Sequence, residues 1–558
     1  MKKYALLLAL VMLFSLLAAC GDTNVETSTP PRVNNSSSPS SSAPSEEQAG
    51  DAPQAVIDGG EFALPIAEGA NFSIWSPAFN ISSAGIEDNN MSPAYVELEA
   101  RTGIHITWFH PPQATASETF SVAMASGTYD DAYNINSTYI TKGADYYIDS
   151  EIFLDLQPLI PQYAPNYDYV RRLDNATYMT TITDTSRTVG FFQIAKSLQW
   201  PFLGPLGRTD WIRDLGLEIP KTYDQLHDVL VAIKDTYNPE IPLSLGNTGT
   251  DDWLMAGFGT IYSANVPFFQ QDGKAVFGAT TDGFKQYVQL MSDWYAEGLI
   301  DRDFQSRTSL VSFDTALVLG NSVGIANALY TWPDFIEMLA RAGGDNVLEW
   351  RGVNIPVVNE GDTRPVVVGG GMLHYNKGMI SAISVDCKDV ETLMKWFDYG
   401  FTEEGSLLAN YGLEGEAHTI VDGKPALTDL ITQNPENLGI NAGIAKYCMD
   451  HIFAFWFDWE RELGPSTSEN VYATREIWDG NWVDEISMPS VTRTEAENAT
   501  YSAILNDINT FLSENIVAFI LGAKPMSEWD SMISTLDSMG LATIVQIQQA
   551  ALDRYYAR

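Results

Sequence analysis

The chain has 558 residues, of which 45 % are hydrophobic and 11 % aromatic, and it carries a formal net charge of −41. Neutralising phosphates takes Lys and Arg, so this balance argues against nucleic acid as a partner, and against direct adhesion to anionic lipid headgroups. An anionic ligand would need a basic pocket built locally against this field.

The N-terminus is read first. After Lys2 and Lys3 an uncharged apolar run spans Ala5 to Ala19 and ends on Cys20. A positive start, a short apolar stretch and small residues at its end describe a secretory signal, and a run this short falls below the roughly 20 residues of a membrane span. Leu17-Ala18-Ala19-Cys20 resembles the bacterial lipobox, so residues 1–19 are expected to be removed and Cys20 to be lipidated. Residues 20–60 then read as a tether. Ser28 to Gly50 holds eight Ser and four Pro among 23 residues and no aromatic, which leaves too little apolar surface to offset the entropy of ordering it. A flexible chain from Gly21 to Gly60 would reach about 35 Å. Beyond Cys20 only Cys387 and Cys448 remain, too few for a disulfide framework; whether they pair stays open, because bridging requires close Cα atoms.

From residue 61 the pattern alternates. "NFSIW" (Asn71 to Trp75) and "IHITWF" (Ile104 to Phe109) read as strands, with a helix between them that ends near Gly103. A third strand ends in "YDDAYNIN", Tyr129 to Asn136, and strand-helix-strand at this spacing predicts a βαβ unit in a largely parallel sheet. Further on, Thr222 with Gln225 three residues later predicts a capped helix whose inner face carries Leu226, Val229, Leu230 and Ile233. Near the C-terminus Ser527 is expected to cap a helix with Met532, Ile533, Leu536 and Met539 inward and Gly540 as its stop. The body is therefore expected to be α/β.

Motifs for catalysis and metal binding are absent: no HExxH, GxSxG, P-loop or GxGxxG, and six histidines without ligand spacing. No cofactor and no metal is expected. Asp458 and Glu460, in "FWFDWER", are the most suggestive acidic pair for glycoside hydrolysis, although a solvated helix face also explains them. "IFAFWFDW", with Trp456 and Trp459, reads as a buried helix.

Five blocks in order carry a resemblance: "GRTDWIRDLGLEIPKTYDQL" (Gly207 to Leu226), "DWYAEGLIDRDF" (Asp293 to Phe304), "MKWFDYGFTEEG" (Met394 to Gly405), "YGLEGEAH" (Tyr411 to His418) and "ILGAKPMSEWDSM" (Ile520 to Met532). From about Leu64 onward the chain resembles the lipoprotein solute-binding components of bacterial carbohydrate-type ABC importers, extracellular solute-binding protein family 1 of the LplA/LipO-like kind. The resemblance implies an α/β, two-lobed periplasmic-binding-protein-like fold (type II) with an interlobe ligand cleft and hinge closure. It divides residues 61–558 into lobe one, about 61–187 and 368–445, and lobe two, about 188–367 and 446–558. Members often carry an acidic, Gly-containing loop after the helix that begins at the position of Thr222; here Lys234 to Gly246 lacks it, so calcium is not carried over.

A sugar presents hydroxyls at its edges and C–H groups on its faces, so aromatic and amide side chains near strand carboxyl ends are the candidate ligand contacts. These are Trp75, Asn134, Asn136, Tyr139, Gln199, Trp200, Tyr330, Trp332, His374 and Tyr375, with Trp332 placed by resemblance to the stacking tryptophan of maltose-binding relatives. The function expected is that of a non-enzymatic, monomeric receptor, lipid-anchored on the extracellular face of a Gram-positive cytoplasmic membrane. It would capture an oligosaccharide and deliver it to ABC transporter permease subunits. Two alternatives stay open: a surface-anchored glycoside-acting enzyme, and a receptor for a peptide or other small metabolite.

Overall fold

The computed structural model describes residues 63–136, 139–197, 203–307, 321–330, 348–365, 376–436, 438, 440–449, 453–463, 469–479, 482–483 and 488–558. Strands β1 (Ala70–Trp75) and β2 (Ile104–Phe109) are parallel and flank the helix Pro93–Thr102, and β1 also pairs in parallel with β3 (Ala132–Asn136). This is the βαβ unit that the alternation anticipates. Along β2, Ile104, Ile106 and Trp108 point inward and His105, Thr107 and Phe109 outward, the two-residue period of a pleated strand. The helix between begins with a proline in its first turn and stops at Gly103, whose φ is 73°. A Cβ there would lie 2.8 Å from the Ala67 carbonyl oxygen, so glycine is required by both conformation and space.

The chain then adds β4 (Phe191–Ala195), leaves for β5 (Leu203–Arg208), β6 (Ile241–Leu243), β7 (Val323–Leu329) and β8 (Trp350–Gly352), and returns for β9 (Asn376–Ile383) and β10 (Trp456–Phe457). Two sheets result, one ordered β10-β4-β9-β3-β1-β2 and one ordered β8-β5-β7-β6. β9 runs antiparallel to both β3 and β4, while β10 lies parallel to β4. In the second sheet β5 is antiparallel to β7 and β8, and β6 is parallel to β7.

β4 hydrogen-bonds to β9, and β10 to β4, so Phe191–Ala195 and Trp456–Phe457 belong to the same sheet as β1 to β3. The segment "IFAFWFDW" is correspondingly not a helix: Trp456–Phe457 is an edge strand. Its alternating large apolar residues suit a pleated, half-buried surface as well as they suit a helix.

Each lobe has its own core. In lobe one Ile74, Leu98, Ile106, Phe397 and Phe453 fill one face of the sheet, and Trp75, Phe120, Tyr133, Phe192 and Ile380 the other. Lobe two is dominated by helices. Tyr223–Tyr237, Asp282–Glu297, Glu495–Ile520 and Leu541–Tyr556 converge on Leu230, Tyr287, Leu512 and Ile544, all 0 % exposed. Among the described residues no helix is long and apolar enough to cross a membrane.

The helix starts test the capping signals. Thr222 accepts from the Gln225 N–H and Leu226, Val229, Leu230 and Ile233 are buried, as read from sequence. The Gln225 side chain reaches back to the Lys221 N–H at 2.8 Å, one residue before the cap. Thr222→Ala is expected to cost about 1 kcal/mol, read from urea unfolding; an unchanged midpoint would refute the cap's contribution. Ser527 does not cap its helix: it lies inside a 3₁₀ turn, Met526–Glu528, and the α-helix starts at Trp529. Trp529, 3 % exposed, seats against Phe519 and Phe284, so tertiary packing sets the start in place of a cap.

Candidate ligand site

The carboxyl ends of β1 and β3 carry four of the expected contacts, and two of these turn inward. Trp75 is 1 % exposed. Its ring lies 5.7 Å from Phe120, 5.8 Å from Tyr133 and 6.1 Å from Tyr139, because strand alternation points it at the helix Ala116–Ser126. Asn134 is equally buried: it accepts from the Ser381 hydroxyl at 2.7 Å and donates to the Ser76 hydroxyl at 3.4 Å. In this structure both side chains are packed internally: Asn134 ties β3 to β9 and Trp75 fills the core beneath the helix.

The other two are half-buried. Asn136 places its amide 3.7 Å from the Met379 sulfur, and Tyr139 covers the outer edge of the Trp75 ring, its phenol pushed up by burial. On lobe two, Tyr330 follows β7 and is half-buried, with the Arg475 guanidinium 5.5 Å from its ring centre. Arg475 is 2 % exposed, and burial pushes its guanidinium down to about 10. Gln199, Trp200, Trp332, His374, Tyr375 and Cys20 lie outside the described residues.

Immediately after Tyr139 the chain enters the wall of a hollow of about 470 Å³. Lobe one contributes Ile140, Thr141, Gly143, Ala144, Thr180 to Thr183, Val189, Phe192 and Ile380; lobe two contributes Ser490 to Arg493, Asn498 and Ser502. The volume falls within the range of small-molecule sites, which are concave and few per protein. Thr, Ser, Asn and Arg supply its polar surface, and its lining includes no carboxylate, although the chain has 72 acidic residues.

The lobes are joined beside this hollow. Asn498 donates its amide to the Thr141 carbonyl. Asp184, on the loop before β4, receives Arg554 Nε at 2.5 Å and Arg558 Nε at 3.0 Å. Arg558 further donates to the carbonyls of Met179 (2.7 Å) and Ile182 (2.8 Å) and to the Thr492 hydroxyl (2.8 Å). Sequence reading did not find this wall, because "SMPSVTRTEAENATYS" carries only ordinary polar residues. Its one readable signal is Thr494 with Glu497, which form a capping box and begin the helix behind the hollow.

The acidic pair singled out from sequence is structural. Asp458 accepts from the Tyr411 hydroxyl at 3.0 Å and from the Glu460 N–H at 3.0 Å, securing the first turn of the helix Glu460–Leu463. Beside it Trp456 is half-buried under the Lys196 ammonium, 4.5 Å from the ring centre, and Lys196 pairs with Glu403 at 3.2 Å. Cys387 and Cys448 are buried free thiols, each pushed up to about 12 by burial. Among the described residues no three His, Cys, Asp or Glu side chains cluster as metal ligands.

Comparison with known proteins adds to this geometry. The sequence model of the family described as bacterial extracellular solute-binding protein matches residues 87–405. Lipoprotein LipO of Bacillus subtilis is 24 % identical over 378 residues, covering 65 % of this chain and 70 % of LipO. The fructooligosaccharide ABC transporter substrate-binding protein FusA of Streptococcus pneumoniae is 22 % identical over 518 residues, covering 84 % of this chain and 88 % of FusA. Among solved structures, an HMO-binding ABC-transporter-associated solute-binding protein from Bifidobacterium longum infantis superposes with a TM-score of 0.70 at 17 % identity, over 87 % of this chain and 99 % of that one. The alginate-binding protein AlgQ2 gives 0.68 at 21 % identity, over 88 % and 99 %. The fold is thus α/β and two-lobed, of the type II periplasmic-binding-protein kind.

Proposed function

The chain belongs to the bacterial extracellular solute-binding protein family, and from that premise we propose that it is a lipid-anchored receptor that captures an oligosaccharide between its lobes and hands it to the permease of an ABC importer. The observation that carries the reading is the hydroxyl-lined hollow to which both lobes contribute, since a site shared by two lobes couples occupancy to their relative position. Similarity to FusA over most of both chains supports a sugar as the solute. Leu17 to Cys20 and the Ser/Pro-rich segment after it support an anchor at Cys20 on the outer face of the cytoplasmic membrane. Membership in a family of solute-binding proteins supports a receptor without a catalytic step.

A ligand that binds only the folded state stabilises it by about 2.7 kcal/mol at a hundredfold excess over its dissociation constant. A thermal-shift panel of neutral and acidic oligosaccharides is therefore expected to yield a rise of several degrees for at least one sugar, reduced in Trp332→Ala. A panel without any shift would overturn the carbohydrate reading, and a shift with peptides instead would replace it.

A further inference from the structure

The walls of the interlobe hollow have an uneven charge. Three carboxylates next in sequence to lining residues are paired with arginines: Asp145 with Arg187 at 2.7 Å, Glu497 with Arg554 at 2.7 Å, and Asp184 with Arg554 and Arg558. Arg493, which lines the hollow, has no carboxylate within ion-pair distance among the described residues. It is nevertheless held in place. Its guanidinium lies 3.9 Å from the centre of the Tyr501 ring, Nε donates to Asn498 Oδ1 at 3.1 Å and Nη1 donates to Gln548 Oε1 at 2.8 Å. These bonds leave Nη2 without a partner among the described residues. Asn498 also donates to the Thr141 carbonyl of lobe one, so a residue that orients Arg493 also takes part in joining the lobes. Ser490 and Ser502 line the same hollow with hydroxyls that no described residue engages.

A fixed guanidinium with an open N–H, in a hollow whose lining also carries serine hydroxyls and no carboxylate, is the donor set for a carboxylate. It is also the local basic pocket that an anion needs in a chain of net charge −41. We propose that the hollow selects a carboxylated oligosaccharide, a sugar acid whose carboxylate is received by Arg493 with Ser490 and Ser502 beside it. The proposal rests on the reading of the protein as an oligosaccharide receptor and narrows its solute to the acidic class.

The test uses isothermal titration of the purified protein with di- to tetrasaccharides of galacturonate, glucuronate and mannuronate, with the methyl ester of each, and with neutral oligosaccharides of equal length. The ester keeps shape and removes charge. The expected result is binding of at least one uronate, with its ester weaker by about tenfold or more. Arg493→Gln is expected to lose a similar factor, and Arg493→Lys less. Because Arg493 also packs on Tyr501, Ser502→Asp is run beside it: the position is exposed, and an added carboxylate there should abolish uronate binding at an unchanged melting temperature. Equal binding of ester and acid, or binding of neutral sugars alone, would overturn the acidic class and leave the receptor reading standing. No binding by any sugar would overturn both.

Discussion

Asp184→Ala is expected to lower stability by about 2–4 kcal/mol and to loosen the two lobes from each other. The side chain is 12 % exposed and faces two guanidinium groups, Arg554 on the helix Leu541–Tyr556, 32 % exposed, and Arg558 just beyond its end, 4 % exposed. Removing one member of a buried pair strands the other charge, which typically costs about 3–5 kcal/mol. The lower end applies here because Arg554 keeps Glu497 and Arg558 keeps three neutral acceptors. Urea unfolding measures the loss, and the double variant Asp184→Ala/Arg558→Met is expected to recover part of it, since no charge is then left unpaired. A loss below about 0.5 kcal/mol would mean that water already neutralises the pair. The contact also bears on function. Thr492 and Ile182 belong both to this joint and to the lining of the hollow, so a loosened joint should weaken ligand binding even though Asp184 does not line the hollow.

The scaffold was more legible than the site, for a physical reason. β1, β2 and the helix between them are local: each needs only its own periodicity, a proline at one end and a glycine at the other. Thr222 likewise announces a helix from four adjacent residues. The hollow depends instead on Thr141 meeting Asn498 and on Asp184 meeting Arg558, contacts across hundreds of residues that leave no pattern in either segment. Aromatic residues carry a related ambiguity. Trp75 and Trp456 both sit at or beside strand ends, where a stacking platform and a core filler look alike in sequence, and only the packing of Phe120 and Tyr133 around Trp75 assigns it to the core. Asn134 shows the polar version: an amide at a strand end can face a ligand, but Ser381 and Ser76 satisfy it internally.

A second large effect is expected from pH, through Asp251. This residue is 1 % exposed at the start of the short helix Asp252–Met255, where it accepts from Asn327 Nδ2 at 3.0 Å and from the Gly246 N–H at 3.3 Å. Burial, with the neighbouring charge of Asp252 adding to it, pushes its carboxyl up to about 8. Tyr287, in the same surroundings, is pushed up as well, so no cation offsets the effect. An unfolded aspartate titrates near 3.9, so folding takes up a proton between that value and about 8. The stability this group confers is therefore fully present below about pH 4, declines as pH rises, and is gone above about 8. At about 1.4 kcal/mol per unit, this window allows a loss of up to about 6 kcal/mol, less whatever relaxation recovers. Asp398, also buried and pushed up to about 7, adds a second slope of the same sign, so the wild-type curve alone cannot assign the effect. Asp251→Asn can. The amide keeps the shape and cannot ionise, and with one donor it can satisfy the Asn327 oxygen, which has no partner among the described residues. The variant is expected to match the wild type at or below about pH 4 and to exceed it by a few kcal/mol at pH 8.5 in urea unfolding; parallel curves for the two proteins would show that Asp251 stays ionised inside lobe two.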